Sequence, residues 1–126
     1  TVFARVLDER FQMPYPVTLT TLRASSKILE RMNVINKAVN EVKAQRSALI
    51  ESLNKTRGVR AFSSETNFVL FQTFQDSGII CRKLLNKGVI VRNIGQVLGV
   101  KNCLRVTVAP KPMIDGFLEA LMEVLG

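Results

Sequence analysis

The sequence predicts an α+β domain: a small sheet of about four strands, mixed or antiparallel, covered by helices. Three observations lead there. Short apolar, β-branched runs recur at 59–62, 67–73, 89–92 and 104–108, each bounded by glycine, proline or polar residues. Longer stretches carry apolar residues at three- and four-residue steps, the helical period. The order is arm, helix, long helix, strand, strand, helix, strand, strand, helix, and not a regular alternation of strand and helix. The chain has 126 residues, 47% apolar and 22% charged, enough for one hydrophobic core.

Residues 1–16 read as an extended arm or linker, and residues 17–126 as the domain. Met13-Pro14-Tyr15-Pro16 carries two prolines that block helix. The apolar residues Phe3, Val6, Leu7, Phe11 and Met13 would be costly to expose together, so they are expected to pack on a missing partner or a second copy. The chain starts Thr1-Val2-Phe3 without an initiator methionine or a secretory n-region, as expected of a processed chain or a piece of a longer one.

Thr18 suits an N-cap, with Thr20 or Thr21 as alternatives, for a helix to about Arg31. Its face is Leu22, Ser25, Ile28 and Leu29. Asn33 restarts a long helix to about Thr56, with the stripe Val34, Ile35, Ala38, Val42, Gln45, Leu49 and Leu53. Arg57-Gly58 ends it. Val59–Phe62 is a short strand, Ser63–Thr66 a polar break, and Asn67–Thr73 a strand apolar enough to be buried on both faces. Asp76 or Ser77 caps a helix over 77–87, with Ile79, Ile80, Leu84 and Leu85 inward, and Gly88 stops it. Val89–Arg92 is the third strand, Gly95–Asn102 a plain connecting loop, and Leu104–Val108 the fourth strand. Pro112 opens a final helix over 112–125, whose stripe is Ile114, Phe117, Leu118, Leu121, Met122 and Leu125.

Composition narrows the chemistry. There is no histidine, which removes Ser-His-Asp and Cys-His catalysis. Two cysteines, Cys81 and Cys103, are too few for a structural zinc site and read as buried free thiols of a cytoplasmic protein, with a disulfide as the lesser alternative. No apolar run reaches membrane-spanning length. The net charge of +8 is spread along the chain, without a dense basic run or basic-aromatic interleaving. A basic module that binds nucleic acid or another polyanion is therefore the alternative class, and the strands lack the exposed aromatics that base stacking uses.

Two arginines stand out by position. Arg92 ends the apolar run Val89-Ile90-Val91, and Arg105 sits inside Cys103-Leu104-Arg105-Val106-Thr107-Val108. A buried, unpaired charge costs several kcal/mol, so each must reach solvent, a carboxylate or an anionic ligand. A surface ion pair satisfies that need, and so does an anion site, since guanidinium matches carboxylate and phosphate with two parallel hydrogen bonds. Asn67, at the start of a strand, reads either as a turn residue bonding its own backbone or as a ligand-directed amide. Lys27, in Ser25-Ser26-Lys27, lies mid-helix without a glycine-rich turn and reads as a surface lysine.

These segments have a counterpart. Glu65-Thr66-Asn67-Phe68-Val69-Leu70 is similar to the S-x-A/T-N-F-V/L-L segment of histidinol-phosphate aminotransferases. Gly88-Val89-Ile90-Val91-Arg92 resembles their G-V-I/L-V-R strand, and Cys103–Val108 their C/A-L-R-V/I-T-V segment. Met13-Pro14-Tyr15-Pro16-Val17 resembles their P-Y-N/P-V entry. Order and spacing agree from about residue 12 to the end. Where the family continues Gly-Thr after L-R-V-T-V, this chain has Ala109-Pro110. Related class I/II enzymes, including aromatic aminotransferases and threonine-phosphate decarboxylases, share part of the pattern.

The resemblance implies the C-terminal small domain of a fold-type-I enzyme that uses pyridoxal 5'-phosphate. It implies that Arg105 grips the substrate's carboxylate or phosphate, that Arg92 helps bind that anionic end, and that Asn67 belongs to the same substrate site. The cofactor lysine and the cofactor's other contacts would belong to a large domain that is missing here. No catalytic, cofactor-binding or metal-binding residue is therefore expected on this chain, which would be inactive alone. The implied partners are that large domain, an anionic amino-acid substrate and a second subunit of a homodimer, with neither nucleic acid nor membrane.

Overall fold

The computed structural model describes residues 17–126; the expected arm over 1–16 lies outside them. The chain forms two compact units, one reaching Lys37 and the other Ala38–Gly126.

In the first unit, helix α1 spans Leu19–Leu29. The Thr18 Oγ1 accepts from the Thr21 backbone N–H at 3.1 Å, the N-cap expected from sequence. A break at Glu30–Arg31 separates it from helix α2, Met32–Lys55, which continues into the second unit. No residue of α1 is buried, and Leu22, Ile28 and Leu29 form an exposed apolar face.

In the second unit, the elements after α2 are β1 (Val59–Ala61), β2 (Phe68–Thr73), α3 (Ser77–Asn86), β3 (Arg92–Val97), β4 (Val100–Thr107) and α4 (Lys111–Leu125). The strands form one antiparallel sheet in the order β1-β2-β4-β3. The α+β class is as expected, and the sheet is wholly antiparallel. Residues of α2, α3 and α4 bury Leu49, Leu53, Ile80, Leu84, Phe117 and Leu121 in one core with Val69, Phe71, Leu104 and Val106 of the sheet. Phe71 and Phe117 meet edge to face, centroids 6.0 Å apart. The Asn54 Oδ1 accepts from the Ala61 N–H at 2.8 Å and ties α2 to the edge strand.

Several expectations change. β2 is not buried on both faces: Val69, Phe71 and Thr73 are buried, while Phe68, Leu70 and Gln72 are half-buried. One core against one side of an antiparallel sheet requires that alternation. The third strand begins at Arg92, where pairing with β4 begins, and not at Val89. The Val89 N–H is spent on the Leu84 carbonyl at 2.9 Å after the left-handed turn at Gly88 (φ +78°), and Ile90 is 83% exposed. In α3 the inward residues are Ser77, Ile80 and Leu84, while Ile79 and Leu85 are exposed. In α4, Ile114, Phe117 and Leu121 are buried as expected, Ala120 and Val124 join them, and Met122 is exposed.

The segment expected as a loop, Gly95–Asn102, is a β-hairpin. Val97 pairs with Val100, leaving Leu98-Gly99 as the turn. Both have positive φ, +46° and +83°, the signature of a type I′ turn, which matches the right-handed twist of the strands. Gly95 (φ +75°) and Asn102 (φ +58°) lie in the same left-handed region, and the β3–β4 register shifts between Asn93 and Val97. Glycines read as loop punctuation thus serve a bulge and a tight turn.

Two predictions follow from this geometry. Leu98 is 99% exposed and strained in the left-handed region, so Leu98→Asn should stabilise the domain by about 0.5–1 kcal/mol in urea melts. Cys103 is fully buried, and that burial raises its thiol pKa. Half-buried Cys81 should therefore react with a thiol reagent first, and Cys103 only after unfolding. Equal labelling rates in the native state would contradict that placement.

Candidate functional site

Strand parity places the two arginines. Leu104 and Val106 of β4 point into the core, so Arg105 between them projects from the opposite face. Its cross-strand neighbours are Leu70 on β2 and Arg92 on β3. Directly opposed residues share a face, so the sheet brings both sequence-predicted arginines side by side. Arg105 is half-buried and Arg92 exposed. Among the described residues no carboxylate forms an ion pair with either. The surface-ion-pair reading of these arginines has no partner there.

The surroundings hold both side chains' backbones. The Arg105 guanidinium carbon lies 4.7 Å from the centre of the Phe68 ring, a cation–π contact that orients the side chain. Asn93, next to Arg92, accepts at its Oδ1 from the buried Ser77 hydroxyl at 2.8 Å and from the Gly95 N–H at 3.1 Å. That amide fastens the start of β3 to the first turn of α3.

Asn67 precedes β2 and is exposed. Its carbonyl accepts from the Val108 N–H at 2.8 Å, which sets it beside the end of β4, past Arg105. The segment before it is tightly bonded. The Ser64 hydroxyl donates to the Phe68 carbonyl at 2.6 Å and accepts from the Thr66 N–H at 3.1 Å. From α2, Arg46 Nη1 donates to the Thr66 carbonyl at 3.1 Å and Nη2 to Glu65 Oε2 at 2.8 Å.

Sequence reasoning missed Phe68 and Arg46. Phe68 carried a signal, being two residues before Leu70 and so on the Arg105 face. Arg46 carried none: stripes through Gln45 or Arg46 both fall at three- and four-residue steps, and only the structure shows Arg46 as the buried one.

The lysines on α1 and beside the two grooves are each ion-paired. Lys27 is exposed on α1 and paired with Glu30 at 3.4 Å. Two grooves, of about 880 and 620 Å³, include Lys55 and Lys87. These lysines pair with Glu51 and Glu123, and neither groove is lined by a carboxylate that could stand under a pyridine nitrogen. No histidine, cysteine or carboxylate cluster suited to a metal occurs among the described residues, and no helix there is long and apolar enough to cross a membrane.

The antiparallel α+β unit thus presents two cross-strand arginines that no described carboxylate answers. Comparison with known proteins gives the family. The family model for class I and II aminotransferases matches residues 5–121. The chain is 31% identical over 113 residues to the histidinol-phosphate aminotransferase of Caldanaerobacter subterraneus subsp. tengcongensis, covering 90% of this chain and 32% of that protein. It is 34% identical to histidinol-phosphate aminotransferase 1 of Archaeoglobus fulgidus, covering 90% and 34%. The crystal structure of the histidinol-phosphate aminotransferase from Clostridium acetobutylicum superposes with a TM-score of 0.82 at 25% identity, covering 96% of this chain and 36% of that one. The chain belongs to the class I and II aminotransferase family, and it spans about a third of the length of the curated relatives it matches.

The arginine pair carries a stability cost that can be measured. Like charges directly opposed across strands repel, by about 0.2–1 kcal/mol. Arg92→Thr should therefore raise the midpoint of thermal unfolding, more at low salt than at high salt. A fall in the midpoint at both salt concentrations would show that Arg92 has a stabilising partner.

Proposed function

We propose that this chain is the small domain of a pyridoxal-phosphate aminotransferase that acts on a phosphate-bearing amino substrate, in the manner of histidinol-phosphate aminotransferases. Residues 17–126 make up that domain and residues 1–16 lead into it. The observation that carries this reading is the cross-strand pair Arg92–Arg105. Two arginines opposed across β3 and β4 carry enough donors for one phosphate dianion, and the Phe68 ring holds the Arg105 guanidinium on its β2 side. Asn67 is proposed as a further substrate residue at the end of the same ladder, where its carbonyl bonds the Val108 N–H.

In this proposal a large domain supplies the cofactor, which acts as the electron sink of the reaction. The residues of this chain hold the distant anionic end of the substrate. Binding energy realised there orients the reacting carbon, so the clamp contributes to rate as well as to affinity. The natural enzyme is proposed to be a cytoplasmic homodimer that converts histidinol phosphate and 2-oxoglutarate to imidazole acetol phosphate and glutamate. Aromatic amino-acid transamination and threonine-phosphate decarboxylation are the neighbouring alternatives within the class.

Inorganic phosphate titrated into the 126-residue chain should perturb the Arg92 and Arg105 side-chain NMR signals. Arg105→Gln should weaken that binding at least about tenfold, the loss of a charged hydrogen-bond pair. Retained affinity in Arg105→Gln would remove the clamp from the proposal. A chimera carrying this chain in place of the corresponding third of the Clostridium acetobutylicum enzyme tests the substrate class. Turnover of histidinol phosphate supports the proposal, while turnover only of an aromatic amino acid or of threonine phosphate moves it to an alternative.

A further inference from the structure

We infer that Arg46 is a positioning residue for the anion clamp: it acts on Arg105 through the loop 63–67 and the Phe68 ring. The inference rests on the proposed role of Arg105 as an anion ligand.

Arg46 occupies a core position. It lies on the inward stripe of α2 with Leu49 and Leu53, and it is 9% exposed. A charge placed there needs hydrogen-bonded partners. It finds them in one loop, the Thr66 carbonyl and the Glu65 carboxylate, at 3.1 and 2.8 Å. The two partners differ in kind. The Glu65 side chain is 92% exposed, so its share of the ion pair is screened by water. The carbonyl bond, from Nη1 of a side chain only 11% exposed, fixes the backbone of Thr66.

That backbone leads directly into Asn67 and Phe68, and Phe68 lies under the Arg105 guanidinium. The loop does not depend on Arg46 for its existence. The Ser64 and Thr66 hydroxyls already close it, and the Asn67 carbonyl is bonded to Val108. What Arg46 adds is a rigid fork that ties this preformed loop to the longest helix. A planar guanidinium sets direction as well as distance, which a lysine cannot do. Support of that kind holds a binding side chain within the fraction of an ångström that a two-pronged contact with phosphate requires.

The test uses the 126-residue chain, inorganic phosphate as probe, and the Arg105 side-chain N–H signal, which the Phe68 ring shifts. In Arg46→Lys that signal should move toward the position of an ordinary exposed arginine, and phosphate affinity should fall about fivefold. Glu65→Ala, which releases one prong without emptying the buried position, should move the signal the same way by less; if Arg46→Lys does not fold, this variant decides. If the folded variants keep both the Arg105 signal and the wild-type phosphate affinity, Arg46 only fastens a loop and the inference is overturned. If wild type binds no phosphate while Arg46→Lys still shifts the Arg105 signal, the anion reading fails and the positioning of Arg105 by Arg46 stands.

Discussion

The pairing of β2 with β4 governs what this domain can present. Val69 sits opposite Val106 and Phe71 opposite Leu104, and these four side chains form the floor of the core. Because side chains alternate with a period of two, that choice sends Leu70, Arg105 and Arg92 to the other face together. A slip of one residue would drive Arg105 into the core and expose Leu104 and Val106. The apolar burial that stabilises the sheet therefore also enforces the exposure of the arginines. An arginine can lie between two core residues without a described carboxylate partner only because of this coupling.

Register is held from several sides. The Leu98-Gly99 turn and the left-handed residues Gly95 and Asn102 set how β3 lies along β4. Asn93, bonded to Ser77, fixes β3 to the start of α3. The Val108–Asn67 bond closes the end of the β2–β4 ladder, past Arg105. The change from Gly-Thr to Ala109-Pro110, relative to the family pattern, falls after that bond, where Pro110 already forms the N-cap position of α4. It leaves Arg105 and its ladder neighbours in register.

Much of this was legible along the chain. Periodicity and punctuation located the helices to within a residue or two, as at Thr18 and Gly58, because caps and left-handed turns are local chemistry. Arg92 and Arg105 were legible as anomalies, since charge inside an apolar strand demands an explanation. The errors have a common cause. Val89-Ile90-Val91 has strand-forming residues but spends its backbone on leaving α3, and Gly95–Asn102 has loop-forming residues but pairs as a hairpin. Strand identity is a property of the neighbouring backbone, which a single segment does not contain. The same applies to Phe68, whose role as a platform depends on a residue thirty-seven positions away.

The sequence by itself determined the α+β class, the order of elements and the two arginines that must reach solvent, a carboxylate or an anion. It could do so because apolar periodicity, capping and the cost of a buried charge are expressed within a few residues. Only the tertiary structure decided that Arg92 and Arg105 are cross-strand neighbours, that no described carboxylate answers them, and that Arg46 reaches from α2 to the loop before Phe68. Those facts depend on which strands pair, in which register and on which face the core lies. They are set by burial summed over the whole domain, a quantity no local pattern carries.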